Sequence, residues 1–164
     1  MTVAAPATLT LAAIPYALTT HYMVLPVETS FNWDEMLSYV DDGQWYLVAF
    51  RSRHAADADE DTLEALDRAA RESAMTMPGF LYYFMGIPLA MGECLSFCLW
   101  NSKEEAAYAS AQPEHREAVK RGLHFFEYYT LEQYHITKRD GEISFERVQG
   151  HGSRGAHGQH QHSH

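Results

Sequence analysis

The sequence predicts an α+β fold on one antiparallel sheet. Three observations lead there. Between residues 44 and 138, strand-like and helix-like stretches follow the order β-α-β-β-α-β. The apolar stretch 79–100, whose only charge is Glu93, is divided by Gly86, Pro88 and Gly92 into two runs. Each run is too short to span a bilayer and reads as one of two strands joined by a turn. A hydrophobic fraction of 46% in 164 residues suits one packed domain with tails.

Residues 1–43 are expected to form an extended N-terminal arm with a short helix. The first thirty show no clean period, and the apolar start is interrupted by Pro6 and Pro15 and lacks a basic leader, so it does not read as a signal peptide. Ser30 or Asn32 caps a helix through Val40, which Asp41-Asp42-Gly43 ends. The domain proper covers 44–148. "QWYLVAFRS" is its first strand, with Trp45, Leu47, Ala49 and Arg51 on one face and Tyr46, Val48, Phe50 and Ser52 on the other. Asp57 or Asp59 caps the first helix, whose apolar stripe is Leu63, Leu66, Ala70 and Ala74. "FLYYFMGI" is the second strand. "CLSFCLW" is the third, with Leu95, Phe97 and Leu99 opposite Cys94, Ser96, Cys98 and Trp100. Asn101 or Ser102 then caps a helix, Ser102 and Glu105 forming a capping box, and Pro113 opens a further helical segment. "EYYTLEQYHITKR" is the fourth strand, Asp140-Gly141 a turn, and "EISFERV" a fifth strand. Residues 149–164 hold five histidines and no Leu, Ile, Val, Phe, Tyr or Trp; they are expected to be a disordered His-rich tail.

A net charge of −10 argues against a nucleic-acid partner. No membrane partner is expected. Cys94 and Cys98, on one strand face roughly 13 Å apart, are out of disulfide reach and read as reduced thiols of a cytoplasmic protein.

The element order is the split βαβ, or ferredoxin-like, motif. Its sheet has one face for helices and one left over; here both faces are apolar, which predicts a homodimer packed sheet on sheet. "WYLVAFRSR", Pro78-Gly79-Phe80, "LSFCLW" followed by "NSKEEAAYA", and "PEHREAV" before "YYTLEQYHI" resemble the dimeric α/β-barrel superfamily, in particular its antibiotic-biosynthesis monooxygenase-like domains. The resemblance covers about residues 44–138 and its motifs recur in relatives of differing activity. It implies a small monooxygenase-like or cyclase-like enzyme acting on a hydrophobic aromatic or polyketide-like molecule held between sheet and helices. The implied chemistry is cofactor-free. Haem is the alternative cofactor, but in haem-degrading relatives the Trp and His share a helix, and Trp100 precedes it here.

On this reading His115 or His135 takes a proton, while Arg51 or a tyrosine hydroxyl holds the developing oxyanion. Trp100, Tyr82, Tyr83 and Phe97 line the ligand, and no metal site is expected. A structural role competes at each position. Trp100 can anchor the core, the histidines can be satisfied packing residues, and Arg51, on an apolar face, calls for an ion-pair partner. The alternatives are a non-catalytic binding module for a small hydrophobic ligand or haem, and a purely structural dimer.

Overall fold

The computed structural model describes residues 22–148. Its elements are α1 (Val27–Ser30), α2 (Trp33–Leu37), β1 (Gly43–His54), α3 (Glu60–Met75), β2 (Phe80–Phe84), β3 (Glu93–Trp100), α4 (Lys103–Ser110), α5 (Pro113–Gly122), a 3-10 turn (Leu123–Phe125), β4 (Phe126–Arg139) and β5 (Glu142–Arg147). The sheet order is β2-β3-β1-β4-β5, and every neighbouring pair is antiparallel. The βαββαβ order with β1 and β3 at the centre is ferredoxin-like, and β5 extends the sheet beside β4. The expected tail, residues 149–164, lies outside the described residues.

Local chemistry sets the boundaries. Asp59 caps α3, its carboxylate accepting the Thr62 amide at 3.1 Å. Ser102 caps α4 by accepting the Glu105 amide at 3.2 Å, and Pro113 opens α5, where its missing N–H is no loss. Asp140 and Gly141 both have positive φ, 51° and 81°, as a tight hairpin between β4 and β5 requires. Gly79 has φ +77°, and a Cβ there would run into the Glu105 carboxylate. The turn entering β2 therefore accepts only glycine.

The two sheet faces have different covers. On one lie Tyr46, Cys98 and Trp100, packed by Ala106 and Ala109 of α4. The other carries Trp45, Leu47, Ala49, Leu95, Phe97 and Leu99, and the chain's own arm buries it. Val27, Phe31, Trp33, Met36 and Leu37 are each at most 4% exposed. Five such side chains represent roughly 10 kcal/mol of gross transfer free energy. Phe31 meets Phe97 edge-on at 4.8 Å and Phe84 at 5.1 Å. The Trp33 indole donates to the Val27 carbonyl at 2.8 Å, tying α1 to α2. Lys138 Nζ donates to the carbonyls of Leu37 (2.7 Å) and Val40 (2.6 Å), closing the open end of α2.

Two expectations are corrected here. The arm is not extended where it is described: residues 22–42 form two short helices and a turn on the sheet, and α2 ends at Leu37 rather than Val40. The face expected to drive sheet-on-sheet dimerisation is covered from within the chain, so it no longer supplies the reason for a second copy.

Candidate functional site

Register assembles the helix-side face into rows. One row runs Phe80, Trp100, Tyr46, His135 across β2, β3, β1 and β4. Phe80 meets Trp100 edge-on at 5.5 Å, and the Tyr46 and His135 rings lie 5.2 Å apart at 59°. The next row is Tyr83, Cys98, Val48, Gln133. The small residues Ala106 and Ala109 let α4 sit close over Trp100 and Tyr46. The covering stops there: His135 is exposed, and Leu131, four residues back on the same face of β4, is 47% exposed. Tyr46 and Trp100 thus stand between a closed half of the face and an open one.

Tyr46 is 2% exposed, and among the described residues its hydroxyl is the buried side-chain polar atom without a hydrogen-bond partner. A buried hydroxyl left unpaired costs about 1–3 kcal/mol. Burial raises its pKa, and the nearby Glu104 carboxylate adds to the rise, so at neutral pH it is a phenol able to donate. Burial also pushes the Tyr83 and Tyr129 phenols and the Cys98 thiol far up. All three are neutral, and Cys98 is no thiolate nucleophile.

The residues singled out in the sequence do not converge. Trp100, Tyr83 and His135 share the helix-side face. Phe97 and Tyr82 pack into the opposite, arm-covered core. Arg51 lies on that side too, and its guanidinium is fully engaged. Nε meets Glu132 at 2.8 Å, and Nη1 and Nη2 donate to the carbonyls of Tyr22 (2.7 Å) and Leu25 (2.5 Å). The expected oxyanion holder is instead a clamp that fastens the arm to the sheet. His115 lies in the first turn of α5 and bonds to the Ser110 backbone at the α4–α5 corner; burial lowers its pKa. Tyr46 was missing from the expected set. Alternation already placed it on the face of Cys98 and Trp100 once β1 was paired with β3, but its missing partner is visible only in three dimensions.

A separate groove of about 530 Å³ lies between the arm and β5, lined by Glu28, Asp34 and Glu35 over Phe31, Trp33 and Phe145. It contains none of the expected site residues. Among the described residues, no three His, Cys, Asp or Glu converge to hold a metal ion.

The class defined by these features is a ferredoxin-like α+β domain with an aromatic, partly covered helix-side face. The chain belongs to the PB2B2.08-like family, whose profile matches residues 6–147. It is 30% identical over 106 residues to UPF0643 protein PB2B2.08 of Schizosaccharomyces pombe, a match that covers 61% of this chain and 48% of that protein. The chain thus spans about half the length of that curated relative. Among solved structures it is similar to a dimeric ferredoxin-like protein of unknown function from Thermobifida fusca (14% identity, TM-score 0.48, covering 58% of this chain and 93% of that one). It is also similar to SnoaB, a cofactor-independent oxygenase from Streptomyces nogalater (15% identity, TM-score 0.45, covering 59% and 94%). An antibiotic biosynthesis monooxygenase is another structure of this kind. These likenesses concern the fold. No helix among the described residues is long and apolar enough to cross a membrane.

Proposed function

We propose that the protein is a small oxygenase-like or cyclase-like enzyme that binds a flat phenolic or polyketide-like molecule against Tyr46, Trp100 and His135. The observation that carries the reading is the buried, unpartnered Tyr46 hydroxyl beside the exposed His135 ring. The half-buried Phe80 ring and the exposed His135 ring offer aromatic surface to such a ligand, over the buried Trp100. His135 accepts the phenol proton, and the Tyr46 hydroxyl donates to the oxygen left negative. A phenolate or enolate so formed can itself pass an electron to dioxygen, so the chemistry asks for no further cofactor. Oxygenase or cyclase chemistry enters from the resemblance of residues 44–138; the geometry supports binding and proton transfer.

The test is titration with a panel of naphthols and hydroxyanthraquinones, followed by tryptophan fluorescence and by oxygen uptake. Tyr46→Phe is expected to weaken binding at least tenfold, about 1.4 kcal/mol, while leaving the melting temperature unchanged or higher, because it deletes an unpaired buried oxygen. Unchanged affinity in Tyr46→Phe would sink the assignment. Binding without oxygen uptake or product would reduce the protein to a binding module.

A further inference from the structure

We propose that the β2–β3 loop, residues 85–91, seats the protein on an uncharged lipid surface of the phosphatidylcholine type. Met85 is 60% exposed, Ile87 81%, Leu89 45% and Met91 65%. They belong to a stretch, 79–92, without a single Asp, Glu, Lys or Arg. Four large apolar side chains in seven residues hold out on the order of 500 Å², near the top of what a soluble monomer leaves bare.

Part of the loop's backbone is held from within. The Gly86 amide donates to Ser96 Oγ at 3.0 Å, and those of Leu89 and Gly92 donate to the carbonyls of Glu93 and Leu89 at 2.8 Å each. Pro88 has no amide hydrogen. Within 85–91 the Gly86 and Leu89 amides are thus already paired inside the protein, which lowers what those two groups lose on leaving water. The loop is also pinned at its stem, where a Cβ on Gly86 would meet the Leu95 carbonyl and Cys94 Sγ. Arg71 Nη1 lies 3.2 Å from Met85 Sδ, placing one guanidinium at the rim, where lipid phosphates would stand.

Area and charge choose the occupant. A stable protein partner needs about 800 Å² from each side, more than this projecting loop offers; lipid insertion requires no shape complementarity. A net charge of −10 turns the protein from anionic lipid toward a neutral surface. This interfacial contact departs from the expectation of no membrane partner, an expectation that rested on the lack of a stretch long enough to span a bilayer.

The experiment is co-flotation of the full chain with phosphatidylcholine vesicles. The wild type is expected to float, and to float less when part of the lipid is phosphatidylserine. Ile87→Glu/Met91→Glu should lose at least tenfold in partitioning while keeping its melting temperature, since both side chains stand in solvent. The milder Ile87→Ser should fall between. Residues 1–21, also without Asp, Glu, Lys or Arg, are unchanged throughout, so the difference reads the loop. A wild type that stays at the bottom of the gradient overturns the proposal, as does a double variant that floats equally well. Sedimentation showing self-association that Ile87→Glu abolishes would assign the loop to a second copy and overturn it too.

Discussion

Replacing Arg51 with methionine distinguishes a clamp from a substrate residue. The Arg51 and Glu132 side chains are 11% and 15% exposed, and their contact is 2.8 Å. Methionine preserves most of the aliphatic stem but leaves Glu132 with only Arg147 at 3.9 Å, and leaves the Tyr22 and Leu25 carbonyls without their donor. Removing one partner of a largely buried pair costs about 3–5 kcal/mol, and each carbonyl left dry adds to that. Residual solvent at both side chains argues for the lower end, about 3 kcal/mol. For a domain of this size that lowers the melting temperature by roughly 10 °C. Urea unfolding gives the number directly, with fluorescence reporting on Trp33 and Trp45 at the arm–sheet junction. Arg51→Met/Glu132→Leu removes both charges and should recover at least about half of the loss. Ligand affinity per folded molecule should not change. A single variant within about 1 kcal/mol of wild type, with ligand affinity lost, would refute the clamp and return Arg51 to the site.

Three further outcomes follow from the same structure. Burial holds His115 below its ordinary value of about 6.5. The unfolded chain therefore takes up that proton first as pH falls, and the stability this represents is complete above about pH 6.5 and lost below it. His115→Gln should flatten the decline in urea midpoint between pH 7.5 and 5, and a profile parallel to wild type would show that the imidazole is not desolvated. Gly79→Ala places a side chain at φ +77° against the Glu105 carboxylate, which also stands 3.0 Å from Ser102 Oγ at the α4 cap. It should cost about 2–3 kcal/mol in urea unfolding, and a loss under about 0.5 kcal/mol would contradict the geometry. Truncation of residues 1–42 bares Leu47, Phe97 and Leu99, and light scattering should then show self-association or aggregation. A soluble, monomeric truncated chain of wild-type stability would show that the arm is not a cover.

The elements legible in the sequence are those whose signals are local. Period-two alternation sorted β1 and β3 onto their two faces because an extended chain leaves no other choice. Asp59, Ser102, Pro113 and Asp140-Gly141 announce helix ends and a turn by chemistry within four residues. Alternation also forbade part of the expected site. Trp100 and Phe97 are three apart on one strand and so face opposite ways, as do the neighbours Tyr82 and Tyr83. The register shift between Phe80 and Tyr82 decides which of that pair faces which core. The arm was illegible for another reason. Val27, Trp33, Met36 and Leu37 sit on helices of four and five residues, too short to display a period. What fixes them is distant: Arg51 lies 29 residues from Tyr22, and Lys138 lies 101 from Leu37.

The arm also changes what the leftover sheet face means. An apolar face on an antiparallel sheet must be buried by something, and nothing in the alternation of β1 or β3 says whether a second copy or the same chain will do it. The structure answers through polar anchors more than apolar ones. Hydrophobic contact would accept many coverings, but Arg51 and Lys138 together make four hydrogen bonds to carbonyls of residues 22–40, and such bonds specify one. The Ser30 hydroxyl, fully buried, adds contacts to the Pro26 carbonyl at 2.9 Å and the Tyr22 carbonyl at 3.1 Å, fixing the path of α1. With that face closed internally, the unpaired Tyr46 hydroxyl lies on the opposite side of the sheet. Substitutions in the arm should therefore move stability and self-association, and substitutions around Tyr46 should move ligand affinity. The two sets share no direct contact, so their effects on stability should add to within about 0.5 kcal/mol.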